Sequence, residues 1–594
     1  MSRLRDSCDA LTNRLHRAIH GSFFLSMIVA VIGIAVAAFY WMYLEEHVVD
    51  YPDERDHFKY GSIGADDAEG IPQAIWEALP ELFVDYLPDP AAFKKLPVAT
   101  RTYLDGYRQF GFIIEDGRPL PVGFSQRRVG VTRIGLNCAV CHTSTVKISE
   151  GMDPARIYGV DWNGPRVGLQ KDRVAVLGMP AQTFDIQEYI KFLVRCAQDA
   201  RFTPPNLLAY LNKNPKVGFV DRLIYRLSIP AVRTGLINRS EQFNFFDKTP
   251  EFGPGRIDTF NPYKRLQFRF PYDGSVGTAD FPSIWNQGSR VGMRIHWDGN
   301  NDSVFERNIT AAFGAGARPV SLDQDRMIRL MRWCGASDPR IKLTPEEIKK
   351  QILEARAHPF PKPGQMPVPG FPFLVNPALA SAGRKVYDQN CASCHAWSGD
   401  LVGKVTPQAL VKTDPFRCDS FSSDLATNFS TLGLEQWWAF SRYSRTLSYA
   451  NMPLDGIWAR APYLHNGSVP TLADLLNREC SPEELKSLKL DATSRADGLN
   501  AEELAPTRVA EIVARARALG RRPPVFYRGD DEYDSERVGF RVDRAVNDDE
   551  RKHFLYDTRL RGNGNSGHWY GVSLSLEEKA ALLEYLKTPG GQSQ

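Results

Sequence analysis

No long run of like charge stands in this chain. Lys and Arg number 73 against 70 Asp and Glu, a formal net charge of +3 over 594 residues. A balance this close to neutral argues against nucleic acid as a partner and against an acidic tail. Cysteine is scarce at nine residues and histidine numbers only 11, so the spacing of each is informative. The chain is too long for one hydrophobic core, and its length points to three or four packed units. Proline (40) and glycine (46) are plentiful instead, which indicates modest helices joined by many loops.

One stretch, Ser22 to Leu44, contains no charged residue. As a helix it is long enough to span ~30 Å of hydrocarbon. Arg3, Arg5, Arg14 and Arg17 precede it, and Glu45, Glu46, Asp50, Asp53 and Glu54 follow it. By the positive-inside bias residues 1–21 stay in the cytoplasm, 22–44 anchor the chain in the inner membrane and the body lies in the periplasm. Phe39, Tyr40, Trp41 and Tyr43 would form an aromatic belt at the outer interface. Ala35-Val36-Ala37 also resembles a cleavage site, and a cleaved export signal gives the body the same destination.

Four of the nine cysteines fall in Cys138-Ala-Val-Cys141-His142 and Cys391-Ala-Ser-Cys394-His395. Both match C-x-x-C-H, the attachment motif of c-type haem. Two thiols three positions apart add to the two porphyrin vinyl groups, and the histidine that follows ligates the iron. A zinc site would need these residues to converge on one metal, and a redox dithiol would not need the histidines. Two covalently bound haem c groups are therefore expected. Cys196, Cys334, Cys418 and Cys480 would face an oxidising compartment, and two disulfides, one or none remain open.

Residues 45–70 read as a polar linker and 70–130 as alternating helices and turns. Phe184 to Ala200 has helical spacing, with Ile186, Tyr189, Ile190, Leu193 and Cys196 on one face. Residues 252–300 read mostly as loop, and the Pro-rich 358–376 as an interdomain linker. A helix over Pro377 to Asp388 precedes the second haem motif. A last helix starts at Ser575, where Glu578 completes a capping box. The expected fold is mainly α: two cytochrome-c-like haem domains with long loops, 71–357 and 377–594, preceded by one transmembrane helix. A second echo follows the haem motifs in order. Phe281-Pro-Ser-Ile-Trp-Asn286 and His296-Trp-Asp-Gly-Asn300 in the first half parallel Leu454-Asp-Gly-Ile-Trp-Ala459 and Tyr463-Leu-His-Asn-Gly467 in the second.

These motifs, with Ala461-Pro-Tyr-Leu-His-Asn-Gly-Ser-Val-Pro470, resemble the bacterial di-haem cytochrome c peroxidase superfamily, which includes MauG-type maturation enzymes and di-haem rubber oxygenases. Gly562-Asn-Gly-Asn-Ser-Gly-His568 is most similar to the rubber-oxygenase-like branch. The resemblance runs from about residue 57 to 588. It implies that the N-terminal haem, on His142, is the reaction centre, and that the C-terminal haem, on His395, transfers electrons with a second axial ligand. His568 is the expected ligand; Met452, His465 and His553 are the alternatives. The resemblance also implies Trp297 as a bridge between the haems, His465 lining the haem cavity, and a calcium ion held by Asn286 with the carbonyls of Arg460 and Pro462.

One departure stands out. The peroxidases of this superfamily carry a glutamate about twenty residues past the W-D-G turn. Here Asn308 to Ala317 has no acid, and Glu306 and Arg307 are the nearest polar groups. General acid–base help is worth ~10² to 10⁴ in rate. An apolar segment suits dioxygen chemistry on a hydrophobic substrate, with Phe313 shielding bound O2. The expectation is an enzyme of the cytochrome c peroxidase type that reduces H2O2 with electrons from a periplasmic donor, a small cytochrome c or copper protein. The alternatives are an oxygenase cleaving an apolar substrate with O2, or an electron carrier in which Met179, His57 or His296 also ligates the first haem.

Overall fold

The computed structural model describes residues 26–38, 40–41, 45–158, 172–213, 217–490, 504–544 and 554–589. Of the segment 22–44, residues 26–38 form a helix with exposed side chains; residues 22–25, 39 and 42–44 lie outside the described residues. Among the described residues no helix is long and apolar enough to cross a membrane.

The mainly α expectation is corrected to a mixed helix and sheet fold. Helices are joined by six small antiparallel sheets among the described residues, the largest of four strands. Its centre is a hairpin of Phe124–Val129 against Val131–Leu136, turning at Gly130 with φ 73°. His47–Val48 and Ile71–Pro72 flank it. Residues 70–130 thus end in a strand rather than in helix and turn. Polar residues on the inner face hide the two-residue period. Ser125 and Arg127 are buried there, and both bond to the buried Asp66, at 2.8 Å and 3.0 Å.

Residues 45–70 and 358–376, polar or Pro-rich in sequence, are packed in place. Phe58, Met366, Phe371 and Phe373 belong to the largest core, which draws side chains from both haem-motif halves. Trp458 Nε1 donates to the carbonyl of Pro369 at 2.8 Å.

Two short ribbons occupy corresponding places in the two halves. β1 (Arg256–Asp258) pairs antiparallel with β2 (Thr278–Asp280), and β3 (Val405–Pro407) with β4 (Ser448–Ala450). Three helices matter for the site: α1 (Val304–Gly314), α2 (Pro377–Asn390) and α3 (Leu576–Leu586). The expected capping box closes the start of α3: Glu578 accepts from Ser575 N at 2.8 Å, and Ser575 Oγ from Glu578 N at 3.2 Å. The apolar stripe of α3 explains its docking on α2. Leu582, Tyr585 and Leu586 are buried, and the rings of Tyr387 and Tyr585 lie 5.1 Å apart. Each such side chain contributes about 1.5–3 kcal/mol by leaving water. Gly383 permits the crossing: a Cβ there would stand 1.9 Å from the carbonyl oxygen of Ala581. Because that neighbour is backbone, Gly383→Ala should lower unfolding stability by about 1–3 kcal/mol. The exposed Ser381→Ala should leave it unchanged; thermal denaturation of the two variants checks this.

Candidate haem sites and the region between them

The first motif starts in a 3-10 turn, Cys138–Val140, capped by Asn137 Oδ1 accepting from Ala139 N at 3.0 Å. Asn137 Nδ2 in turn donates to the carbonyl of Gly61 at 3.0 Å, which ties the turn to the end of the helix Glu54–Tyr60. His142 is buried and its Nδ1 donates to the carbonyl of Pro282 at 2.8 Å. That bond fixes the tautomer and leaves Nε2 free, the arrangement that orients a metal-binding imidazole. Burial, and then the Arg307 guanidinium, push the His142 pKa down to about 3, so the ring is neutral, as a metal ligand must be.

The second motif is set by α2, which ends at Cys391, and by the helical turn Ala392–His395. His395 Nδ1 donates to the carbonyl of Met452 at 2.8 Å, and burial lowers its pKa. The two proximal histidines are held alike. Across from His395 stands His568, with ring centroids 6.2 Å apart. Two metal–imidazole bonds of about 2 Å, plus about 1 Å from each nitrogen to its ring centre, give roughly the same span. The pair therefore fits one iron between two imidazoles. Met452 lies at the other nitrogen of His395: its carbonyl accepts from Nδ1, whereas an iron shared with His568 would be held through Nε2. His553 lies outside the described residues.

The loop carrying His568 is strained and held. His568 has φ 47°, in the left-handed region that costs a non-glycine residue about 1–3 kcal/mol. Gly567 precedes it at φ 76°, where a Cβ would meet the Lys412 backbone at 2.2 Å. Arg522, fully buried, gathers the loop: its guanidinium donates to the carbonyls of Gly567 at 2.8 Å, Leu475 at 3.1 Å and His568 at 3.3 Å, and also to that of Asn565. Burial lowers the Arg522 pKa to about 10, which leaves it charged at neutral pH. Nothing in a single sequence marked this arginine.

The four thiols of the motifs are half-buried, and desolvation pushes Cys138 up to about 11 and Cys391 up to about 12. Among the described residues no group of three or more His, Cys, Asp or Glu could hold a metal ion. The residues present thus fit covalent haem. Cys196, Cys334, Cys418 and Cys480 are all unpaired.

Between the motifs the echo seen in sequence is also structural. His296 and Leu464 both have left-handed φ, 64° and 66°, as do Gly299 and Gly467, 61° and 64°. Each turn is closed by one antiparallel bridge, Ile295 to Asn301 and Tyr463 to Val469. In this superposition of turns Trp297 corresponds to His465. The two turns then exchange partners. Ala450 N, at the end of β4, donates to the carbonyl of Trp297 at 2.8 Å. Asp280 N, at the end of β2, donates to the carbonyl of His465 at 2.9 Å. Trp297 Nε1 donates to the Asp280 carbonyl at 2.9 Å. Trp297 also packs against the cluster of Val411, Cys418 and Tyr449, and the Tyr449 ring stacks on His465 with centroids 4.3 Å apart. The W-D-G turn is locked by Arg417, fully buried, which pairs with Asp298 at 3.3 Å.

The segment expected to cover the first haem behaves as its composition suggests. Phe313, on α1, is buried with its ring 5.8 Å from Trp438 and 6.2 Å from Phe440. Glu306 cannot serve as the missing acid. Its carboxylate accepts from Ser441 N at 2.9 Å, Arg442 N at 3.1 Å and Asn301 Nδ2 at 3.0 Å. No second imidazole stands across from His142 among the described residues; its one ring neighbour is Phe281, at 6.3 Å. Of the alternative ligands, His57 Nε2 is engaged by the Arg326 carbonyl at 3.2 Å, Met179 is buried in the core, and His296 is held in its turn with Nε2 unpartnered.

The surroundings of Asn286 do not suit calcium. Asn286 Nδ2 donates to the Pro359 carbonyl at 2.7 Å and Oδ1 accepts from Ser289 at 2.8 Å. The adjacent carboxylate, Asp455, is taken by two guanidiniums, Arg290 and Arg460, each at 2.7 Å. A hard cation wants six to eight oxygens, carboxylates among them. Here two fixed positive charges stand in its place.

Residues 448–484, which hold Tyr449, Met452 and His465, match the family model described as RoxA-like, cytochrome c-like. The match fits the haem cytochrome c superfamily, and a cytochrome c-like domain implies covalently bound haem c. The chain is similar to an uncharacterized protein, y4iJ, of Sinorhizobium fredii, at 24% identity over 83% of this chain and 85% of that protein. A second uncharacterized protein of the same organism, y4iM, is 25% identical over 52% of this chain and 64% of its own length.

His568→Ala should convert a low-spin ferric signal to high-spin while Met452→Leu leaves it unchanged, as read by low-temperature EPR. Prolonged EGTA treatment should alter neither the unfolding midpoint nor the haem spectra. Asp455→Asn should cost about 3–5 kcal/mol by leaving two arginines without their counter-charge, as measured by denaturant titration.

Proposed function

We propose that this protein is a periplasmic di-haem oxidoreductase in which His395 and His568 would hold one haem between two imidazoles and His142 would hold another without a second protein ligand, the first supplying electrons to the second. The observation that carries the reading is the asymmetry of the two sites: His395 has an imidazole 6.2 Å away and His142 has none at that separation among the described residues. A haem with a free axial position supplies the binding and activation of O2 or peroxide. The protein's own residues do the rest. Pro282 orients His142, Trp297 lies between the sites, and Phe313, Trp438 and Phe440 form an aromatic cluster at α1, the helix that carries Arg307.

This helix favours O2 acting on an apolar substrate, because it offers no free acid: Glu306 is fully engaged by backbone and amide donors. The peroxidase reading keeps one observation in its favour. Arg307 stands close enough to His142 and Cys138 to perturb both, and a cation there would stabilise a bound peroxide anion. A small cytochrome c or copper protein as donor, and tethering to the inner membrane through residues 22–44, complete the proposal. The exposed apolar helix at 26–38 supports the tether.

EPR of the oxidised protein tests it. One high-spin and one low-spin ferric signal are expected, with the high-spin signal indifferent to H2O2. Loss of both signals on peroxide would move the reading to the peroxidase. Two low-spin signals that ignore peroxide would make the protein an electron carrier and overturn the proposal.

A further inference from the structure

The bonds that position the two proximal histidines also connect them. His142 bonds to Pro282, two residues from Asp280, and His395 bonds to Met452, two residues from Ala450. Two separate links join Asp280 to the 449–450 strand. One runs through Trp297: its Nε1–H donates to the Asp280 carbonyl and its own carbonyl accepts from Ala450 N. The other runs through the second half. Asp280 N donates to the His465 carbonyl at 2.9 Å, and the His465 ring stacks on Tyr449, the residue before Ala450. The Tyr449 hydroxyl donates to the carbonyl of Asp414 at 2.5 Å, so its oxygen accepts from His465 Nε2–H at 3.1 Å.

We propose that His465 and Tyr449 form a second electron-transfer link between the two haems, parallel to Trp297 and related to it by the internal duplication. The inference rests on the reading that electrons pass between two haems. One electron leaves the haem on His395 and His568 and arrives at the haem on His142. No bond forms or breaks, no proton moves, and Tyr449 and His465 end as they began. Both are suited to that role. Burial holds the phenol well above its usual pKa and the imidazole well below its own, so neither carries a charge whose reorganisation would slow the transfer. Both are positioning residues for the transfer and touch no substrate.

Pulse radiolysis of the oxidised holoprotein tests this, with the injected electron followed by absorbance as it redistributes between the haems. Trp297→Phe and Tyr449→Leu should each slow the intramolecular phase less than tenfold, and the double variant more than a hundredfold. Haem content, spectra and both midpoint potentials should stay at their wild-type values, which a merely structural loss would not allow. If Tyr449→Leu fails to fold, His465→Phe breaks the same link and should give the same pattern against Trp297→Phe. An unchanged rate on adding either variant to Trp297→Phe overturns the second link, as does complete loss of the phase in Trp297→Phe alone. A wild-type protein with two haems and no intramolecular phase would overturn the functional reading and this inference together.

Discussion

Everything at the candidate sites depends on a bond made twice, from a proximal imidazole Nδ1–H to a backbone carbonyl. Pro282 accepts from His142 and Met452 from His395, both at 2.8 Å. Each bond fixes the tautomer, turns Nε2 toward the iron position and attaches the ring to a strand that ends in the space between the halves. Because β2 and β4 each donate a hydrogen bond to the turn of the opposite half, neither histidine can move without disturbing the other half. Coupling between the sites is thus a property of the backbone, to which the side chains add.

The cost of this arrangement is visible in the buried charges. Arg256, Arg417 and Arg522 are fully buried. Arg417 is paired with Asp298, whereas Arg522 is surrounded by carbonyls. Buried cations are expensive unless every donor is satisfied, and their value here is to hold loops in shapes that loops do not keep alone. The left-handed His568 is the plainest case: a strained residue is retained where its ring faces His395.

The sequence was most legible where chemistry demands fixed spacing. The C-x-x-C-H motifs pointed to His142 and His395, which are held by matching bonds to backbone carbonyls, and a resemblance pointed to His568, whose ring stands 6.2 Å from that of His395. Helices α2 and α3 and the capping box at Ser575 followed from apolar period and cap residues. The sheets were not legible. The hairpin at Phe124–Leu136 carries Ser125 and Arg127 on its buried face, where a partner, Asp66, comes from a distant turn. A polar residue satisfied by a remote group looks like a solvent-facing one until the fold is known.

The sequence by itself determined the spacing of the two C-x-x-C-H motifs, the repeated turn and the absence of an acid in the Asn308–Ala317 segment. These are local facts, set by residue identity and by spacings the covalent chain imposes. Only the tertiary structure decided that Glu306 is unavailable, that Met452 stands behind His395 and not across from it, that two arginines fill the surroundings of Asn286, and that His465 and Trp297 exchange hydrogen bonds between halves. Each of these rests on which side of a ring or strand a group occupies, and that is fixed by contacts between residues more than fifty positions apart.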